Sequence, residues 1–243
     1  MQVYKELPVI TNQARRRPAE LVGIVSVVEE WTVARHRVLA EEIIAPEATF
    51  VFDAGTGMYL NAILLDIPLA PKVSPRLRQQ AQQAAEGESN PRRATRAKEL
   101  ELAGAGGRGS IWEGDLRYDT AIVYLRPERH TVDAAIDERS KRITLDGLEE
   151  AEKLKDMAAA GERISPQVMD SVGVRELAGH LAGTLSLKQA QDLISTRTRR
   201  LARRQMRWFD KLARTLEGRA RISVVQGTNQ EKSLHPMHDI IGI

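Results

Sequence analysis

The densest chemistry in the sequence lies between Arg197 and Arg221, where ten Arg or Lys residues stand against two acids. At helical spacing Arg200, Arg203, Arg204, Arg207, Lys211 and Arg214 fall on one side. A guanidinium matches phosphate oxygens through two parallel hydrogen bonds, and a stripe of them can follow a nucleic-acid backbone with strong salt dependence. RNA is the ligand class this face suggests. A solvated helix face usually mixes both signs, which this one scarcely does, and an acidic protein partner is the remaining alternative. Trp208 and Phe209 sit among the arginines. Either ring could stack on a base, but Trp208 also falls on an apolar stripe with Ala190, Ile194, Leu201 and Leu212, which points it toward a core.

A second group is Asp53-Ala54-Gly55-Thr56-Gly57, which brings a carboxylate and a hydroxyl into one glycine turn. By itself it reads as a plain connection from strand to helix. Other combinations are weaker. His235 and His238 flank Pro236 without convergent carboxylates, so no zinc site is expected. Gly104, Gly106, Gly107 and Gly109 lack the helix and lysine of a phosphate loop and read as a linker.

These groups need elements to hold them. Residues 19 to 44 carry apolar residues at helical spacing before Pro46, so a helix is expected there. Thr49 to Phe52 is β-prone and reads as a strand, followed by the glycine turn and a helical run from Met58 to Leu65. Ser74-Pro75 is a cap and first-turn proline for a helix ending near Gly87. A second strand is expected at Ala121 to Leu125. From there the pattern is helical: Val132 to Arg142, Leu145 to Ala160, Val174 to Leu181, and Leu187 to about Leu216, opened by a Ser186/Gln189 capping box. Alternation of strand, glycine turn and helix gives an α/β fold. The expected divisions are a core over 1–73, a basic insertion with the glycine-rich loop over 74–116, the rest of the core with C-terminal helices over 117–225, and a tail over 226–243.

At 243 residues the chain can bury one sizeable core. It has no cysteine, which removes disulfides and thiolate chemistry and fits a reducing cytoplasm. No apolar run approaches the roughly 20 residues that span a bilayer, and Met1 to Arg17 lacks the apolar core of a signal peptide. A soluble, cytoplasmic monomer is expected. Net charge is only +3, so the clustering of arginine matters more than the sum.

The run Thr198-Arg199-Arg200-Leu201-Ala202-Arg203-Arg204-Gln205-Met206-Arg207-Trp208-Phe209 resembles the signature T-R-x-Y-A-[KR]-R-Q-x-T-W-F of tRNA dimethylallyltransferases, also called tRNA isopentenyltransferases. Three further segments fall in that family's order: Met1-Gln2-Val3-Tyr4-Lys5, Gly55-Thr56-Gly57-Met58-Tyr59-Leu60, and Ser171-Val172-Gly173-Val174-Arg175-Glu176-Leu177 with Gly183 after it. The resemblance implies a parallel-sheet core of the P-loop-transferase type with a helical insertion, here reduced. It implies transfer of a dimethylallyl group from its diphosphate to the exocyclic amine of an adenosine beside the tRNA anticodon, with Mg2+ on the diphosphate. Thr56 then matches a threonine at the reacting centre, and Gly55, Gly57, Arg129 and Arg139 are its diphosphate-binding candidates. Arg199, Arg200, Arg203, Arg204, Gln205, Arg207 and Lys211 become the tRNA-binding set.

The same comparison of motifs shows departures. The family opens with a G-x-x-x-x-G-K-[ST] loop and an Asp-Ser pair before Met-Gln-Val-Tyr, that Asp being the expected general base. Neither is present in these 243 residues. Ala54 replaces a glycine, Gln13 stands where bacterial members have lysine, and a His-His-Leu segment is absent after Gly23. Three expectations stay open: an enzyme whose loop is encoded upstream of Met1, a divergent enzyme using Asp53 as replacement base, or a relative that binds RNA without reacting.

Overall fold

A computed structural model describes residues 2–45, 47–69, 73–89, 91–105 and 110–226, with residues 91–93 described by backbone alone. The expected loop at 106–109, Pro46, Asn90 and the expected tail from 227 onward, with both of its histidines, lie outside those residues.

Eleven elements are described: α1 (Val33–Ile43), α2 (Gly57–Leu64), α3 (Pro75–Ala84), α4 (Pro91–Leu102), β1 (Ala121–Arg126), α5 (Arg129–Asp146), α6 (Leu148–Ala159), α7 (Pro166–Met169), α8 (Val174–Leu181), α9 (Leu187–Thr215) and β2 (Arg221–Gln226). The strands pair in parallel, Ala121 opposite Arg221 through Arg126 opposite Gln226. A parallel pair needs a long crossover, and here α5 to α9 supply it. The fold is α/β as expected, with a two-stranded sheet among the described residues.

Apolar side chains gather in two clusters. In the first, Tyr4, Leu7, Ile10, Val25 and Val27 from the N-terminal segment meet Ile143, Leu154, Val174, Leu177 and Ile194 from the helices. In the second, Leu64, Leu65 and Ile67 meet Leu212 and Leu216, with Ile122, Ile222 and Phe209 packed around them. Helix α9 serves both clusters. Its 29 residues extend about 43 Å at 1.5 Å per residue, so Ile194 reaches one core and Leu212 the other. Its start follows the sequence closely: Ser186 Oγ accepts from Gln189 N at 3.2 Å, and Gln189 Oε1 accepts from Ser186 N at 2.8 Å.

Polar contacts fix α9 along its length. Arg197 pairs with the buried Glu176 and donates to the Asp170 carbonyl at 2.9 Å. Glu176 also accepts from Gly173 N, where φ is +109° and a Cβ would lie 2.9 Å from Ile143 Cγ2. Glycine at 173 is therefore required twice over, by backbone and by space. Arg199 bridges to Asp133 and Asp137 of α5, and Ser195 donates to Asp137 at 2.9 Å. The Ser195 hydroxyl first, then the Arg199 guanidinium, hold the Asp137 carboxyl below its ordinary range. Near the C-terminal end, Asp210 accepts from Tyr124 Oη at 3.0 Å and Arg126 Nε at 2.9 Å, tying α9 to β1.

Several sequence-based expectations need correction. Residues 19–32 are not helical. Leu21 and Gly23 have φ near +60°, and the backbone turns to pair with the N-terminus instead: Gly23 N donates to Gln2 O, Val25 N to Val3 O, and Lys5 N to Val25 O. The helix begins only at Val33, capped by Thr32, whose hydroxyl accepts from Arg35 N. Thr49 to Phe52 forms no strand and pairs with none, with Val51 71% exposed. The pairing strand is β2, whose short Arg221–Gln226 run shows no clean alternation. Leu201, placed on the apolar stripe by spacing, is exposed. The 74–105 segment forms α3 and α4, joined by the ion pair of Arg78 to buried Glu99, which Arg96 also holds from within α4.

The electrostatics give a pH expectation. Arg126 lowers the pKa of Asp210, and Arg37 that of Glu41, from ordinary values of 3.8 and 4.5. Lowered carboxylates stabilise the fold above those values, and the stabilisation is lost as pH falls through the lower folded-state values. Unfolding free energy in urea should therefore decline on acidification below about pH 5, from linkage. D210N should cost roughly 1–2 kcal/mol at neutral pH, the worth of hydrogen bonds to a charged group, and should flatten the acid limb.

Candidate functional site

The turn at 53–57 and the middle of α9 are joined directly. Gln205 Nε2 donates to the Gly55 carbonyl. Trp208, one turn further along the same helix face, lies against Gly57 so closely that a Cβ there would fall 1.9 Å from Trp208 Cδ1. The indole Nε1 donates to Asn61 Oδ1 at 3.3 Å, and fully buried Asn61 donates to the Ile111 carbonyl at 3.1 Å. Trp112 packs on Trp208 with ring centroids 4.7 Å apart, and Lys211 Nζ stands 4.3 Å from the Trp112 centroid. Gly57 is thus glycine because an indole occupies the space of its side chain. Gly55 is looser, with a Cβ meeting the Gln205 amide at 3.2 Å.

This clamp holds Thr56 at the start of α2. Its backbone is extended, with φ −121° and ψ 101°, and its hydroxyl makes no capping hydrogen bond. Thr56 is exposed. The hydroxyl therefore sits beside the Gly57 and Met58 amides that open α2; the third amide of that turn, Tyr59 N, already donates to the Thr56 carbonyl at 3.2 Å. Helix N-termini carry partial positive charge and suit anionic groups.

The remaining site candidates fall into three places. Asp53 is 79% exposed at its side chain, and Arg15 stands 3.5 Å from its carboxylate. Arg129 is also exposed and pairs with Asp133 at 3.6 Å along its own helix. Arg139 is half-buried and donates to the Ile10 carbonyl at 3.3 Å, with no ion pair among the described residues. Burial, and then the like charge of Arg142, lower its pKa. Among the described residues no group of three or more His, Cys, Asp or Glu is arranged to hold a metal ion.

The basic stripe of α9 separates into two sets. Arg197 and Arg199 are bound to acids of α8 and α5. Arg200, Arg203, Arg204 and Arg207 are exposed and make no ion pair or hydrogen bond to protein among the described residues, while exposed Lys211 leans on Trp112. Spacing alone could show that these residues share a helix side, but not which of them has an acid waiting on a neighbouring helix. The clamp itself was also out of reach of local pattern, because Gln205 and Gly55 are 150 residues apart in sequence.

The family model described as IPP transferase matches residues 2–212. The chain is similar to the tRNA dimethylallyltransferase of Rubrobacter xylanophilus, with 59% identity across all of this chain and 85% of that protein. It is 30% identical to tRNA dimethylallyltransferase 1 of Citrifermentans bemidjiense, over 87% of this chain and 78% of the other. In three dimensions it resembles the full-length tRNA isopentenylpyrophosphate transferase of Bacillus halodurans, at TM-score 0.67 and 22% identity over 99% of this chain and 84% of that one. The Staphylococcus epidermidis tRNA delta(2)-isopentenylpyrophosphate transferase gives TM-score 0.63 at 18% identity, over 100% of this chain and 88% of that one.

The packing at Gly57 makes a direct prediction. Gly57→Ala must displace Trp208, an overpacking change that should cost about 1–3 kcal/mol. Thermal melts should show the loss, with a shift in tryptophan emission as the Trp112–Trp208 contact opens. Gly55→Ala, facing a movable amide, should cost distinctly less.

Proposed function

The chain belongs to the IPP transferase family, and from that premise we propose that it transfers a dimethylallyl group from dimethylallyl diphosphate to the exocyclic amine of an anticodon-adjacent adenosine in tRNA. The observation that carries this reading is the Gln205–Trp208 clamp, which fixes a free threonine hydroxyl beside an arginine face without protein acids. The 59% identity to a tRNA dimethylallyltransferase along the whole chain supports an enzyme rather than a binding-only relative.

In the reaction the amine nitrogen bonds to C1 of the prenyl group while the bond from C1 to the diphosphate oxygen breaks. The diphosphate leaves with that electron pair, and the nitrogen's proton passes to a base. Thr56 Oγ1 and the Gly57 and Met58 amides that open α2 are the groups that receive the leaving group's charge. Asp53 is the carboxylate of the same turn and takes the proton in the version of the mechanism where the described chain supplies its own base. Arg200, Arg203, Arg204, Arg207 and Lys211 hold RNA phosphates. Arg199, committed to Asp133 and Asp137, acts by fixing α9 against α5.

Magnesium fits as a metal carried in on the substrate. It needs only one or two protein oxygens when phosphates supply the rest, and Asp53 and Thr56 are such oxygens at the turn. When bound it neutralises charge on the diphosphate. No described helix is long and apolar enough to cross a membrane, and a monomer acting on cytoplasmic tRNA is the proposed setting.

The test is dimethylallyl incorporation into unmodified tRNA by the purified chain with magnesium. Thr56→Ala should lower the turnover number at least tenfold, as expected for loss of a group contacting the departing charge. The pair Arg203→Ala and Arg204→Ala should instead raise KM for tRNA, increasingly so with salt, and leave the turnover number near the parent's. Absence of incorporation by the unaltered chain, with or without magnesium, would contradict the reading.

A further inference from the structure

A second basic surface lies on the N-terminal segment. Arg15, Arg16 and Arg17 follow one another in irregular backbone and line a cleft of about 400 Å³ with Gln13, Pro18 and Val22. Gln13 also lines an adjoining cleft of about 360 Å³, where Arg142 from α5 meets Asn12 and Asp146. Arg142 donates to Asn12 Oδ1 at 2.6 Å, so the helix and the segment present their cations together.

The charges here are unevenly matched. Arg15 donates to Gln2 Oε1 and stands 3.5 Å from Asp53. Arg16 and Arg17 are exposed and make no ion pair or hydrogen bond to protein among the described residues. Asp146 is the acid of the adjoining cleft, and none lines the first. Nothing in the packing accounts for two adjacent arginines without acids, since neither supports a core cluster.

Position gives this surface its meaning. Arg15 reaches Asp53, two residues before the carbonyl that Gln205 grasps, so the arginine triplet and α9 converge on the same 53–57 turn. An RNA lying along the arginines of α9 toward Thr56 would carry its chain past the turn and onto the triplet. We propose that Arg16 and Arg17, with Arg142 beside them, form a second RNA-phosphate contact that holds tRNA on the Asp53 side of the turn. The inference rests on the tRNA reading above. A diphosphate would bring the same phosphate chemistry, but small ligands are mostly enclosed, whereas Arg16 and Arg17 stand open at the surface. The geometry favours a polymer whose remaining charges are held elsewhere.

The experiment is tRNA binding by the full chain across a salt series. Arg16→Ala with Arg17→Ala should weaken binding about tenfold at moderate salt. It should also reduce the slope of log affinity against log salt by roughly 0.7–0.9 for each phosphate that the arginines no longer neutralise. Lys155→Ala with Arg163→Ala removes the same charge from an exposed region outside both arginine surfaces and should leave affinity and slope near the parent's. Circular dichroism matched to the parent separates these effects from unfolding. Equal affinity and slope in the Arg16/Arg17 variant, while the parent binds tRNA, would overturn this contact and leave the tRNA reading intact. Failure of the parent to bind would overturn both. Loss of inorganic pyrophosphate binding with tRNA affinity unchanged would reassign the cleft to the diphosphate and also overturn it.

Discussion

The indole of Trp208 set into the space above Gly57 is the contact on which the site depends. An L side chain at 57 would occupy the same volume, so the turn and the helix can approach only with glycine present. Gln205 secures the same turn through the Gly55 carbonyl, and Asn61 secures the indole through its nitrogen. Two side chains spaced by one helical turn thereby fix a loop from the other end of the sequence. Because α9 also enters both apolar clusters, displacement of the turn would have to work against the packing of Ile194, Leu212 and Leu216. Thr56 thus inherits its position from the rigidity of a long helix.

Electrostatics on α9 follow a division of labour. Arginines toward its N-terminal half are consumed in structure: Arg197 on Glu176, Arg199 on Asp133 and Asp137. Asp210 anchors the other end by receiving Arg126 and Tyr124, and burial together with that bond pushes the tyrosine pKa up to about 12. Between these anchors, Arg200, Arg203, Arg204 and Arg207 project into solvent. One set of ion pairs holds the helix still, and another set of cations on it stays exposed. Preorganised cations of this kind need little rearrangement on binding, which favours a defined register of the bound chain.

Much of this was legible in the sequence where the determinants are local. The capping box at Ser186, the Ser74-Pro75 start, the glycine turn before α2 and the β-prone run of β1 each act within a few residues, and the elements appear where those signals place them. The family resemblance was equally readable, because its residues lie in short runs. What was not legible depends on distant partners. Residues 19–25 have helical apolar spacing, but their backbone groups are claimed by residues 2–5, and Gly23 in a left-handed conformation permits the turn. β2 is recognisable only beside β1. Gln205 carries the chemistry of an RNA contact in sequence, yet its amide is directed at Gly55, a partner no periodicity announces.

The central claim is that α9 does two separable things, holding RNA through its exposed arginines and holding the reacting-centre turn through Gln205 and Trp208. Single-turnover dimethylallyl transfer by Gln205→Ala at saturating tRNA, measured together with the Kd for tRNA, tests it most directly. The account predicts a rate reduced about tenfold or more, as misplacement of reacting groups does, with Kd within about twofold of the parent's. A weakened Kd with an unchanged transfer rate would contradict it, and would make Gln205 a contact to RNA.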